Sequence, residues 1–87
     1  MKQLRFTGEF KDLLAKRFIK EDRGFFGIGC YQKPIEHGIV CLVYPDKRVA
    51  VECNGLYLPG IRYAKPFLEK LGLPFEEFGE DDYKDEE

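Results

Sequence analysis

Two apolar runs, Ile39-Val40-Cys41-Leu42-Val43-Tyr44 and Arg48-Val49-Ala50-Val51-Glu52-Cys53, are separated only by Pro45-Asp46-Lys47. Both are rich in β-branched side chains, and Pro followed by Asp is turn chemistry, so the pair predicts a β-hairpin. That hairpin commits the middle of an 87-residue chain to antiparallel sheet. The flanking segments must then cover one of its faces.

On the N-terminal side Thr7 can cap a helix, Glu9 suits its first turn, and Phe10, Leu13, Leu14 and Phe18 recur at helical spacing. An amphipathic helix is predicted over 8–21, with Lys16, Arg17 and Lys20 toward its C-terminus and Gly24 as its stop. Phe25 to Lys33 reads as a first strand, interrupted by Gly27 and Gly29 and ended by Pro34.

On the C-terminal side Asn54-Gly55 breaks the third strand. Ile61, Ala64, Phe67, Leu68 and Leu71 then predict a helix from Pro59 to Leu71, capped by Gly72. Pro66 either kinks this helix or opens a shorter one near Lys65. Phe75 and Phe78 suggest a short final strand. The expected order is α-β-β-β-α-β, an α+β domain over 1–79 with helices on a small curved sheet, followed by an acidic tail over 80–87.

At this length one core buries roughly 60–65% of the surface of the unfolded chain, and eight Phe and five Tyr supply large side chains for it. No run of about 18 apolar residues could span a bilayer, and Met1-Lys2-Gln3-Leu4-Arg5 lacks the character of a signal peptide. A cytoplasmic protein with no membrane partner is expected. Cys30, Cys41 and Cys53 are odd in number and never spaced CxxC, which predicts reduced, buried thiols. Charge divides along the chain. Residues 1–75 hold 13 Lys and Arg against 8 Asp and Glu, a net of +5, whereas 76–87 hold Lys84 against 8 acids, a net of −7.

Side chains alternate faces along a strand. A hairpin loop of two or four residues sets Cys41 opposite Ala50 and places Cys41, Ala50, Glu52 and Asn54 on one face. Glu52 interrupts an apolar strand and needs a cation, a metal or hydrogen-bond donors. Arg48, Arg62 and Lys65 are the ordinary partners for it. His37 precedes Cys41 by four residues, about 13 Å along an extended chain, so the two do not form a thiol–imidazole pair.

Gln32-Lys33-Pro34-Ile35, Ile39-Val40-Cys41-Leu42, the turn at Pro45 and Val51-Glu52-Cys53-Asn54-Gly55 follow one another without a gap in a familiar pattern. Phe67-Leu68-Glu69-Lys70-Leu71-Gly72, then Phe75 and Phe78, continue it. Over roughly residues 9–79 the chain resembles the PD-(D/E)xK endonuclease-like domains related to very-short-patch repair endonucleases. The resemblance implies a restriction-endonuclease-like core in which a hairpin aspartate and a glutamate hold Mg²⁺ that activates water. Cys41 stands at the aspartate's place, Glu52 at the glutamate's, and Asn54 at a further acidic position. A protonated thiol is a poor ligand for a hard cation. Glu52 is then the one metal ligand kept, no cofactor is expected, and Mg²⁺ enters only if the chain is active.

The leading expectation is a catalytically degenerate module that binds nucleic acid weakly and non-specifically, with Lys11, Lys16, Lys20, Lys33, Lys47, Arg48, Arg62 and Lys65 as phosphate contacts. One alternative is a protein-binding inhibitory module of a mobile element, whose acidic segment mimics DNA toward a basic partner. Another is an active metal-dependent DNA endonuclease. A double-stranded-RNA-binding domain shares the α-β-β-β-α order, but Gly60-Ile61-Arg62-Tyr63 is not the lysine cluster that such a domain has at its second helix.

Overall fold

The computed structural model describes residues 2–23 and 28–79, with backbone alone at 22, 23 and 28. Gly24, the Phe25–Gly27 part of the expected first strand and the tail 80–87 lie outside the described residues. The elements run β1 (Gln3–Phe6), α1 (Phe10–Ala15), β2 (Ile19–Arg23), β3 (Ile28–Glu36), β4 (Ile39–Val43), β5 (Arg48–Cys53), β6 (Leu56–Leu58), α2 (Ile61–Leu71) and β7 (Phe75–Phe78). Over the described residues the chain is a small α+β domain in which seven strands form one antiparallel sheet and two helices lie on it. The strand order is β2-β3-β4-β5-β1-β7, and β6 pairs with β5 beside β1.

Helix, three strands, helix and final strand occur in the expected order, and three short strands are added to them. The first is β1, where Leu4 and Phe6 point into the core while Arg5 faces out. The second, β2, replaces the latter part of the helix expected over 8–21. Helix α1 ends early because Arg17 takes a left-handed conformation at φ 70, so Phe18 drops into the core and Ile19–Arg23 pairs with β3. The cap also differs from the expected Thr7. The N-cap is Glu9, whose N–H donates to Asp12 Oδ2 at 3.1 Å. The third strand, β6, follows Asn54 (φ 51) and Gly55 (φ 91), two successive left-handed residues that form a two-residue hairpin loop. Pro34 does not end β3, which pairs on to Glu36 across a register irregularity.

Helix α2 is continuous through Pro66, whose side of the helix is exposed. It starts at Gly60 because only a glycine fits there. At φ 54, a Cβ on Gly60 would lie 2.4 Å from Val51 Cβ. It stops at Gly72, whose left-handed conformation lets its N–H reach Glu69 O and lets the Leu73 N–H reach Leu68 O. The core lies between this helix, α1 and one sheet face, and is built from Leu4, Phe6, Leu13, Phe18, Cys41, Val43, Val49, Val51, Ala64, Leu68 and Leu73.

Candidate functional site

The β4–β5 loop decides which side chains meet. It holds three residues, closed by the Lys47 N–H to Tyr44 O at 2.8 Å and the Tyr44 N–H to Arg48 O at 2.9 Å. Lys47 sits at φ 74, a left-handed position usually given to Gly or Asn. Its Nζ bonds Gly8 O at 2.5 Å and lies 5.9 Å from the centre of the Phe6 ring, which holds the strained residue in place.

A three-residue loop changes the parity of the ladder. Cys41 pairs with Val51, Leu42 with Ala50 and Val40 with Glu52. The expectation that Cys41 faces Ala50 and shares a face with Glu52 is therefore overturned, because a slip of one residue turns every side chain of a strand to the other face. Cys41 lies wholly within the core on the helix-covered face. Glu52 projects half-buried from the opposite face, paired across β5–β6 with Tyr57. Asn54 is exposed in its turn, where its left-handed backbone is what the position requires.

These three residues do not fit a metal. Burial pushes the Cys41 thiol up to about 12, so it stays protonated, and it points away from the only carboxylate proposed as its partner. Among the described residues no three His, Cys, Asp or Glu side chains gather as ligands. His37 is exposed in the β3–β4 turn. Cys30 is buried like Cys41, and Cys53 is half-buried.

Of the eight basic residues, Arg48 is bound by Asp46 (Nε to Oδ2, 2.9 Å) on the face away from the helices. Lys65 is bound by Glu77 at 2.7 Å, a hydrogen bond that raises the lysine above its ordinary range and lowers the carboxylate below its own. Glu76 likewise binds Arg5 at 3.1 Å. The acidic segment expected from Glu76 thus begins with two residues of β7 already engaged, Glu76 by β1 and Glu77 by α2. Lys11 and Lys16 are exposed on and just after α1, Lys33 is half-buried beside Cys41 on the core face, and Arg62 is exposed on α2.

Lys20 and Lys47 are brought together with two rings. The β2–β3 ladder sets Lys20 opposite Tyr31, and Lys20 Nζ lies 5.8 Å from the centre of that ring. Phe10, from α1, stacks on Tyr31 with ring centres 4.9 Å apart and planes 9° from parallel, and Lys47 Nζ stands 5.3 Å from the Phe10 ring. A groove of about 300 Å³ opens beside the pair, lined by Phe10, Lys20, Gly29, Tyr31 and Pro45. Gly29 precedes Tyr31 by two residues on the same face, so the absence of a side chain there leaves the groove open. Neither Phe10 nor Tyr31 was a candidate from sequence. A glycine two residues before a tyrosine in a strand was the available signal.

No protein-family model matches the chain, and neither does any curated protein or any solved structure. What the fold and site define is a small antiparallel α+β domain with a cation-flanked aromatic groove.

Proposed function

We propose that this domain binds nucleic acid non-specifically and without cleaving it, through the groove at Phe10 and Tyr31. The observation that carries the reading is the stacked ring pair with Lys20 and Lys47 beside it, open to solvent over Gly29 and Pro45. Lysines supply attraction to phosphate that does not depend on sequence, and aromatic rings accept any base. Lys16, exposed just after α1, is a further candidate contact, whereas Lys11, Arg48 and Lys65 are paired with Glu9, Asp46 and Glu77. A restriction-endonuclease-like core is supported by element order alone. Cys41 and Glu52 on opposite faces provide no carboxylate pair, so the reading is of binding and not of cleavage.

Charge removal at two places tests this. Lys16→Ala with Lys20→Ala should weaken binding of a short oligonucleotide at low salt several-fold. Arg62→Ala with Lys70→Ala, which removes equal charge from α2, should change it little. Equal losses from both pairs would show general attraction and no groove.

A further inference from the structure

We infer that the groove selects single-stranded nucleic acid, taking one unpaired base against the Phe10–Tyr31 pair while Lys20 holds a neighbouring phosphate. This rests on the proposed nucleic-acid function and names its substrate class. The Phe10 and Tyr31 rings, 4.9 Å apart, leave no room for a base between them, so the base lies against the open side of the stacked pair, along the groove that Gly29 and Pro45 also line. About 300 Å³ lies at the lower end of the range for small-ligand sites and accommodates a single ring system.

Charge fits the same occupant. Lys20 is exposed on the edge strand β2 at the mouth of the groove, where a backbone phosphate would lie if its base entered over Gly29. Lys47 does not share this role. Its Nζ is fixed to Gly8 O and the ring of Phe10, so it supports the wall of the groove. In a duplex every base is already stacked and paired, so the rings gain nothing from it and only the lysines act. Stacking on an aromatic side chain contributes roughly 1–3 kcal/mol per base, a preference of about 5- to 150-fold.

The test uses the full chain with a short oligothymidylate, a duplex of equal length, and an oligonucleotide carrying the fluorescent base 2-aminopurine. Single strand should bind at least about fivefold more tightly than duplex, and 2-aminopurine emission should fall on binding as the base stacks. Gly29→Val, which adds bulk to the groove, and Tyr31→Leu, which keeps bulk but removes the ring, should each abolish that preference by weakening single-strand binding toward that of duplex. Far-ultraviolet circular dichroism identifies a variant that fails to fold, and the unmodified protein's emission change does not depend on either variant. Equal affinity for both forms with unquenched 2-aminopurine overturns the inference but leaves nucleic-acid binding standing. Binding to neither form overturns both.

Discussion

Cys41 pairs with Val51 across the β4–β5 ladder, so its thiol enters the core while Glu52, one residue beyond Val51, projects from the other face of the sheet. A carboxylate at position 41 would be fully buried, and the cation across from it on β3, the half-buried Lys33, would have to give up solvent to meet it. Cys41→Asp should therefore destabilise the fold by about 3 kcal/mol or more and create no Mg²⁺ site. Urea unfolding and calorimetry with Mg²⁺ measure the two halves. A stable variant that binds Mg²⁺ would show that the two positions can meet.

The same burial gives stability a dependence on alkaline pH. The unfolded thiol ionises near 9.0, whereas the folded one holds its proton to about 12. Between these values the unfolded chain binds fewer protons than the folded one, so stability falls as pH rises. The limiting slope is about tenfold in the unfolding equilibrium per pH unit. Below pH 9 the contribution is flat. Cys41→Val should remove this component of the decline between pH 9 and 11, as read by urea midpoints, and an unchanged slope would place the titrating group elsewhere.

Gly60 answers to two demands, a left-handed backbone and the contact with Val51. Gly60→Ala should cost about 3 kcal/mol, the sum of left-handed strain and overpacking. Gly60→Ala in a Val51→Ala background should recover only the part of the steric cost due to the valine methyls, because the contact with the Cβ at position 51 remains. If Gly60→Ala unfolds at the unmodified urea midpoint, the close approach of α2 to β5 is wrong.

Lys47 separates backbone strain from side-chain contact. Lys47→Gly and Lys47→Ala both lose the bond to Gly8 O, but only glycine relieves φ 74, so the glycine variant should be the more stable by roughly 1 kcal/mol. Equal stabilities would indicate a loop of different length and a different register.

Much of the fold was legible in the sequence, because apolar periodicity marks elements wherever one face is buried. The β4–β5 hairpin, the helix ending at Gly72 and the strand at Phe75–Phe78 were all readable in this way. Register was not, since it depends on whether the loop holds an odd or even number of residues, and Lys47 gives no sign of the left-handed conformation that makes it three. Strand β6 did have a sign, Asn54-Gly55 before Leu56-Tyr57-Leu58, which is hairpin chemistry. The groove was hidden for another reason. Lys20 and Tyr31 meet only because Arg17 ends α1 early, and helical periodicity through Phe18 conceals that end.

Residues 80–87 carry six acids and Lys84, so their removal moves the formal charge from −2 to +3. Oligonucleotide affinity should rise, with a steeper dependence on salt, because long-range repulsion of phosphate is removed. Unchanged affinity would mean that these charges do not act on the groove.

Binding itself, followed as salt is raised, tests the central claim most directly. A labelled oligothymidylate titrated with the full chain at about 20 and about 200 mM salt should bind at low salt and weaken steeply. Each lysine–phosphate contact contributes about −0.7 to the log–log slope, so Lys20→Ala should reduce its size by about 0.7. No binding at the lower salt, or an affinity indifferent to salt, would contradict the assignment of this groove to nucleic acid.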